Sequence, residues 1–387
     1  MVKWKTLFTV FFYSVLVFSF SLYSYSQIDL NLTLSGNRQY QAVQTILINL
    51  GYFNRPLSAA IYAILLILMF VFFLWLLKLS TEKNFPFFRL VLVLICLNLI
   101  FAFISYPAFS HDFFNYLFDA RIVTKYHLNP YQYKALDFPD DLWIRFMHWT
   151  HRTYPYGPLW LIITLPFSFL GFGKFVLTVL LFKLMFVITY LLNILLIWKI
   201  GSRLPENFRF KSVILYAFNP LILIESLVSP HNESIMLFFL LLSVFLYQVK
   251  GNRLLAIISL LASVGVKFVT AIVLPLYLLK KLTGKFQLFL KISLFLLLIP
   301  LSLEIFYREP YPWYFIPFIG ISAEIKSSFF TKIFIASSFG ALLRYIPYLY
   351  SGMYTDKGYL LANLLLILPV IIVISQSLLN TIIRKYN

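Results

Sequence analysis

Long runs of apolar residues recur along this 387-residue chain and restrict its fold more than any other feature. An α-helix needs about 20 residues to cross the hydrocarbon core of a bilayer, and three of the clearest runs have that length. They lie at 6–25, 59–77 and 359–379. Only 12% of the residues are charged, against roughly 25% in soluble domains. A β-barrel would show short alternating segments instead, so the sequence predicts an all-α, polytopic membrane protein.

The net charge of +18 follows a pattern that is typical of membrane proteins. Basic residues concentrate in short connections between apolar runs, at 78–89, 199–211, 250–253 and 280–285. Because short cytoplasmic loops are rich in lysine and arginine, we assign these connections to the cytoplasm. All seven aspartates and all five histidines then fall on the extracytoplasmic face. The expected partner is therefore the lipid bilayer and not nucleic acid, which a soluble protein of this charge would suggest.

Hydropathy and the charge rule together predict about twelve crossings with both chain ends in the cytoplasm. The predicted helices lie at 6–25, 58–77, 90–108, 175–198, 212–228, 234–249, 254–266, 268–280, 286–303, 312–323, 328–347 and 359–379. The run 158–172 is predicted to be re-entrant or interfacial, since a full crossing would place the basic residues of 199–211 outside. The first run is either a signal peptide or a retained helix, and its length favours the helix. The whole chain, 1–387, is predicted to form one membrane domain.

A long loop at about 109–157 carries most of the side chains that exchange protons. It contains five of the seven aspartates and four of the five histidines. Asp112, Asn115 and Asp119 recur at helical spacing and would share one face of a helix, with aromatic residues on the other sides. We expect an amphipathic helix at the membrane surface with its aromatic side chains in the acyl boundary. The concentration of acids predicts chemistry at this surface.

Each candidate also has a structural interpretation. Asp112 is either a general base or an N-cap, a position that aspartate favours. Asp119 and Arg121 either orient neighbouring groups or form an ion pair. The segment 231–233 either binds substrate or is the polar start of a helix.

Charged side chains inside apolar runs are costly in lipid and supply further candidates. Lys267 interrupts the run 254–279 and is predicted to lie at a turn between two half-helices, where it binds a lipid phosphate or snorkels to the interface. Arg308 and Arg344, both predicted near the outer surface, are further phosphate candidates. Lys183 lies within a predicted span without an evident partner.

The segment 111–131 resembles the first-loop signature of GT-C glycosyltransferases that use polyprenyl-phosphate sugars, above all their mannosyltransferase-like branch. The residues in register are Asp112, Tyr116, Asp119, Arg121, Asn129, Pro130 and Tyr131. Three later segments resemble motifs of the same superfamily in the expected order, at 153–159, 219–233 and 311–314. Ala120 replaces a usual glycine and Glu233 a usual aspartate. The segment 311–314 is otherwise most simply an aromatic belt at the membrane interface.

The resemblance implies a GT-C fold and an inverting glycosyltransferase. This enzyme would move a hexose, expected to be mannose, from a polyprenyl-phosphate donor to a glycan, glycolipid or protein acceptor at the extracytoplasmic face of a bacterial inner membrane. Asp112 would be the catalytic base. The implied substrate-binding residues are His111, Asn115, Tyr116, Asp119, Arg121, Glu225, His231, Asn232 and Glu233. The implied lipid-phosphate ligands are Lys267, Arg308 and Arg344.

No cofactor is expected, because the sequence has no nucleotide-binding fingerprint and no convincing metal-ligand spacing, although a divalent metal stays open. Two alternatives remain at this point. One is a flippase or transporter of lipid-linked sugars. The other is a glycan ligase that uses a lipid pyrophosphate donor.

Overall fold

The structure, a computed structural model, describes residues 2–30, 32–33, 35–80, 87–353 and 355–386. Within these residues the chain is 80% helical and contains no strand, which confirms the all-α prediction. Six of the described helices are long and apolar enough to cross a membrane, and a seventh span results if the bent pair Glu206–Ala217 and Pro220–Val228 counts as one. The number of about twelve crossings stays a prediction.

The helices up to and around the long loop at 109–157, here named the polar loop, are α1 (Val2–Ser24), α2 (Arg38–Ile48), α3 (Arg55–Leu79), α4 (Phe87–Ile104), α5 (Asp112–Thr124), α6 (Pro158–Leu170) and α7 (Phe175–Ile200). The later helices are α8 (Glu206–Ala217), α9 (Pro220–Leu223), α10 (Glu233–Val244), α11 (Arg253–Val266), α12 (Leu274–Leu278), α13 (Phe286–Tyr307), α14 (Ile316–Ser322), α15 (Ser328–Leu343), α16 (Tyr345–Ser351) and α17 (Asp356–Tyr386). Short 3₁₀ or π turns occur at Tyr25–Gln27, Asn49–Phe53, Ala135–Asp137, Leu142–Phe146, Gly201–Arg203, Ile224–Val228, Phe245–Val249, Phe268–Val273, Lys280–Leu282 and Pro312–Phe315.

The first helix belongs to the helical bundle. Tyr13 and Phe20 of α1 are buried in its core, and the Tyr13 hydroxyl donates to Asn98 Oδ1 on α4. Asn98 Nδ2 in turn donates to the Tyr190 hydroxyl on α7 at 2.9 Å. This packing supports the retained-helix interpretation.

Two predicted segments differ from the structure. The segment 26–57, predicted as a loop, contains α2, which Asn37 caps by accepting from the N–H groups of Gln39 and Tyr40 at 2.8 and 3.3 Å. Its mixture of glutamines and apolar residues resembles a loop by hydropathy alone. The helix predicted at 212–228 consists of two segments, which are bent by 47° relative to each other. Asn219 caps a new start there, and Pro220 occupies the first turn, where its missing N–H costs no hydrogen bond.

α5 is buried on all sides, so the prediction of an amphipathic surface helix with lipid-facing aromatics is wrong. Phe113, Phe114, Leu117 and Phe118 are all buried, in a second hydrophobic core that α5 shares with α6, α7 and the polar loop. An aromatic face in a sequence does not reveal whether lipid or protein covers it.

α6 packs along α5. Gly157, just before α6, donates its N–H to Val266 O at 3.2 Å, and Ser168 near the other end lies 2.8 Å from Thr124 at the end of α5. A Cβ at position 157 would lie 2.2 Å from the carbonyl oxygen of Gly265, so only glycine permits this approach. With 13 residues α6 is shorter than a crossing, and its re-entrant or interfacial character stays a prediction.

The chain connections gather at two opposite ends of the bundle. At one end, basic connections meet: Arg209 donates to Trp198 O, Arg203 to Val249 O and Arg253 to Leu278 O. At the other end, the polar loop contacts the ends of helical segments. Phe109 N donates to Ser229 Oγ, and Gly157 N donates to Val266 O. Tyr345 donates to Glu225 at the same end. The candidate site residues lie at this second end.

Candidate active site

Asp112 is the first residue of α5, directly after the N-cap residue His111. The N-cap interpretation of Asp112 is therefore wrong. Its backbone N–H donates to Ser110 Oγ at 3.2 Å, whereas its carboxylate has no hydrogen-bond or ion-pair partner among the described residues. Asp112 is 8% exposed and lies in the positive field at the helix N-terminus. A carboxylate in this position has oxygen atoms available for a ligand.

A π turn, followed by an interruption of the helix, brings Glu225 and His231 together. The turn, Ile224–Val228, is a π turn, a rare element that is frequent at functional sites. His231 Nδ1 lies 3.2 Å from Glu225 Oε2, and Glu225 Oε1 accepts from the Tyr345 hydroxyl at 2.9 Å. Glu225 and His231 are fully buried. The Glu225 carboxylate thus fixes the position of the His231 imidazole.

A stack of aromatic rings holds His231 from another side. Trp313 stacks on His231 with ring centroids 3.9 Å apart and on Tyr311 with centroids 4.5 Å apart. Trp313 is buried in the protein, so the aromatic-belt interpretation is wrong for this residue, whose ring is covered by protein instead of lipid.

Several buried polar atoms around Asp112 have no hydrogen-bond partner in the described part of the chain. They are Asn115 Oδ1, His231 Nε2, Asn232 Oδ1 and Nδ2, and Glu233 Oε2. The Asp112 carboxylate interacts electrostatically with His231 and with Tyr116, whose hydroxyl meets the backbone of Asn232. Since buried polar atoms are nearly always paired in folded proteins, this cluster indicates a site for a polar ligand.

Lys267 lies in a break between two helical segments, as predicted. α11 ends at Val266, Lys267 is extended with φ −152° and ψ 126°, and a 3₁₀ helix begins at Phe268. Its ammonium group pairs with Glu233 and lies 4.8 Å from the ring centroid of Tyr314. These residues line an open cavity of ≈ 530 Å³, here named the lysine cavity. Its other lining residues are Met236, Val269, Leu297, Pro300, Leu301, Glu304, Pro317 and Phe318.

A second open cavity, of ≈ 470 Å³, is here named the tyrosine cavity. Its lining residues are Glu309, Tyr311, Pro312, Arg344, Tyr345, Pro347, Tyr348, Met353, Gly358, Tyr359 and Ala362. Arg344 lies in this cavity, with Nη2 3.8 Å from Glu309 Oε2, whereas Lys267 lies in the lysine cavity. Arg308 is exposed and lies 3.7 Å from Glu304, a residue of the lysine cavity. Of the three predicted phosphate ligands, Lys267 and Arg344 therefore lie in different cavities, and Arg308 lines neither of them.

Asp119 lies about two helical turns beyond Asp112 on the same face of α5, and each of the two residues is 8% exposed. Burial raises the pKa of the Asp119 carboxyl to about 8, an effect that Arg152 opposes and Asp112 reinforces. Asp119 therefore holds a proton over much of the neutral range. Arg152 was not among the predicted site residues.

Arg121 pairs with Asp141 and not with Asp119, so the predicted Asp119–Arg121 ion pair is wrong. Asp141 Oδ2 accepts from Arg121 Nε at 2.7 Å, from Lys125 Nζ at 2.9 Å and from the Tyr126 hydroxyl at 2.6 Å. Although burial alone would raise the pKa of the Asp141 carboxyl, these hydrogen bonds hold it well below its usual range. Arg121 thus fastens the polar loop to α5, away from the cluster around Asp112.

His111 forms a pair with a histidine that sequence reasoning missed. Its ring stacks on that of His148 with centroids 3.5 Å apart, and its Nε2 lies 3.9 Å from Asp29 Oδ2. Burial, with a smaller effect of His148, lowers the pKa of His111 to about 3, so the imidazole is neutral. No three His, Cys, Asp or Glu side chains of the described ranges are grouped closely enough to hold a metal ion.

Two further side chains gain a role from the fold. Lys183 on α7 donates to Ala102 O at 2.9 Å and to Ser105 O, so it satisfies carbonyl groups at the end of α4. Tyr345 holds Glu225, and its only sequence signal was its position next to Arg344.

Comparison with known proteins gives one informative result. A family model matches residues 33–282, well over half of the chain, and it describes the N-terminal domain of alpha-(1→6)-mannopyranosyltransferases, the MptA_B family. The matched range includes the polar loop, the segment 225–233 and Lys267. No curated protein and no solved structure matches the chain.

Proposed function

The chain belongs to this alpha-(1→6)-mannopyranosyltransferase family, a GT-C type mannosyltransferase family, and from that premise we propose that it transfers mannose from a polyprenyl-phosphate donor at the extracytoplasmic face of a membrane. The family membership confirms the resemblance to mannosyltransferases. The donor, the stereochemical course and the membrane face are parts of the proposal.

The observation that carries the proposal is the unpaired Asp112 carboxylate, which interacts with tyrosines of both cavities. Asp112 interacts electrostatically with Tyr314 of the lysine cavity and with Tyr311 of the tyrosine cavity. It also interacts with His231, which Asn232 and Glu233, with their unpaired atoms, follow in the chain. A transferase must hold two substrates next to one base. The base must reach the acceptor hydroxyl while that hydroxyl attacks the donor sugar.

In the proposed reaction, an acceptor hydroxyl oxygen attacks the anomeric carbon of the donor sugar. Its proton passes to Asp112 as the new glycosidic bond forms. The bond between the anomeric carbon and the phosphate oxygen breaks, and the electron pair leaves with the lipid phosphate. Attack from the face opposite to the leaving group inverts the anomeric carbon, so an α-(1→6) product requires a β-linked donor. Base catalysis of this kind contributes about 10²–10⁴-fold.

The lysine cavity fits the donor. One cation, Lys267, lies among walls that are otherwise mostly apolar, and four wall residues belong to α13, which is long enough to cross the membrane. A prenyl chain would pack against Leu297 and Leu301 while its phosphate meets Lys267, with Arg308 nearby at Glu304. Charge that develops on the leaving phosphate is stabilised by a cation that is fixed close to it.

The charge distribution supports the proposed membrane face. The site lies at the end of the bundle opposite to Arg203, Arg209 and Arg253, and arginine-rich short connections are typical of the cytoplasmic side. This argument supports an extracytoplasmic site.

A transfer assay tests the proposal. Purified protein in lipid nanodiscs is incubated with radiolabelled polyprenyl-phosphate mannose and, in parallel, with a mannooligosaccharide, a glycolipid or a serine-containing peptide. We expect one acceptor to gain a single mannose through an α-(1→6) bond, and a nucleotide-linked mannose to give no product. Movement of labelled lipid across vesicles without a new glycoside would instead establish a transporter, and transfer of a whole oligosaccharide from a lipid pyrophosphate would establish a ligase.

A further inference from the structure

The tyrosine cavity differs from the lysine cavity in the chemistry of its walls. Four of its lining residues are tyrosines, namely Tyr311, Tyr345, Tyr348 and Tyr359. Aromatic rings offer flat apolar faces whose edges carry polar groups, unlike the aliphatic walls that Leu297 and Leu301 give to the lysine cavity. The two cavities are therefore suited to different ligands.

A fixed charged pair lies among these tyrosines. Glu309 accepts a hydrogen bond from the Tyr359 hydroxyl and lies 3.8 Å from Arg344 Nη2. Arg344 also donates to Asn363 Oδ1 on α17, and its side chain is only 6% exposed. The guanidinium and the carboxylate are thus held in place by α17 and by each other. Pockets that combine apolar walls with a few fixed polar groups bind ligands in a defined orientation.

The tyrosine cavity lies at the turn between α16 and α17. Met353 at this turn is 64% exposed, and the neighbouring Asp356 and Lys357 are exposed charged residues. The walls of the lysine cavity come instead from the body of the long apolar helix α13. A water-soluble group can therefore approach the tyrosine cavity from outside the bundle, whereas a lipid chain fits the lysine cavity.

The tyrosine cavity shares walls with the candidate active site. Tyr311 stacks on Trp313, and burial together with the charges of Glu309 and Asp112 raises the pKa of Tyr311 to about 12. Tyr345 donates to Glu225, the residue that fixes His231. A ligand in this cavity therefore contacts Tyr311 and Tyr345, whose partners Trp313 and Glu225 hold His231.

We propose that the tyrosine cavity is the site that binds a sugar ring of the acceptor glycan. The inference rests on the proposed function and deepens it. The C–H face of a pyranose ring packs on a tyrosine ring, and its hydroxyl groups exchange hydrogen bonds with Arg344 and Glu309. The glycan then presents a hydroxyl to Asp112 while the donor phosphate stays at Lys267.

Tyr348→Ala tests this assignment, with Tyr350→Ala as the matched control. Tyr350 lies on the same helix but is 60% exposed and does not line the cavity. The measurement is the KM for an α-(1→6)-linked mannotriose acceptor and the KM for polyprenyl-phosphate mannose. Loss of one aromatic contact should raise the acceptor KM by up to about tenfold in Tyr348→Ala and leave the donor KM unchanged. A raised donor KM, or no change in either KM, overturns the assignment.

Direct binding separates this inference from the proposed function. Saturation-transfer NMR of mannotriose, without any donor, should give a signal with the wild type and with Tyr350→Ala and a reduced signal with Tyr348→Ala. Binding with this pattern but no mannosyl transfer would reject the proposed function and keep the sugar site. Mannosyl transfer together with equal mannotriose binding by all three proteins would keep the proposed function and reject the sugar site. If Tyr348→Ala does not fold, Met353→Trp at the rim fills the cavity and is measured in the same way.

Discussion

The carboxylates at the two ends of α5 differ in their hydrogen bonding. Asp141, at the C-terminal turn, accepts hydrogen bonds from Arg121, Lys125 and Tyr126. Asp112, at the N-terminal turn, has no such partner in the described ranges. An unpaired buried charge costs free energy that a paired one recovers, so an unpaired carboxylate is retained where it serves a ligand or a reaction. Within one loop, pairing thus separates the acid that holds the fold from the acid available for chemistry.

Removal of the paired acid should have the largest effect on stability. Asp141→Asn leaves Arg121 buried without its counter-charge, and breaking a buried pair costs roughly 3–5 kcal/mol. Thermal unfolding in nanodiscs should show a clear loss, while the exposed Asp140→Asn should unfold as the wild type does. Equal unfolding temperatures for the two variants would remove the distinction between paired and unpaired acids.

Replacement of an unpaired polar residue should instead impair turnover and spare the fold. Asn232 is fully buried, and neither side-chain polar atom has a partner in the described part of the chain, so Asn232→Leu should be neutral or stabilising. Turnover should fall by about 10²-fold if these atoms hold the transition state. Unfolding temperature and initial rate are measured on the same preparation. A destabilised variant with full activity would show that Asn232 is structural.

Replacement of Asp119 should have an effect that is visible only as a dependence of stability on pH. Its pKa is raised from 3.8 to about 8, so the folded state favours the protonated carboxyl. This stabilisation is complete below pH ~4 and is lost as the pH rises through about 8. Asp119→Asn lacks the titration, so its unfolding temperature should exceed that of the wild type increasingly from pH 5 to pH 9. Parallel curves for the two proteins would contradict the buried, protonated state.

Most of the fold could be predicted where a helix is long and uniformly apolar. α3 was predicted at 58–77 and lies at Arg55–Leu79, because such a run allows few alternatives in lipid. The bend at Asn219 and the π turn after it depend on tertiary packing and left only a proline as a signal. α2 was missed because its polar content resembles that of a loop.

The site could be predicted in its residues but not in its pairings. Lys267 was found because a lysine within an apolar run has few explanations. The partner of Arg121 was not found, since the loop offers Asp137, Asp140 and Asp141 and only its irregular path selects one. The division of Lys267 and Arg344 between two cavities also depends on how α13 and α17 pack, which no local pattern encodes.

The most direct test measures mannosyl transfer by Asp112→Asn. Nanodisc-embedded protein is supplied with radiolabelled polyprenyl-phosphate mannose and the acceptor identified with the wild type, and Asp140→Asn serves as the control. Asparagine keeps the shape of the side chain but cannot accept the proton, so the rate should fall by about 10²–10⁴-fold while the unfolding temperature stays that of the wild type. A wild-type rate in this variant would exclude Asp112 as the base.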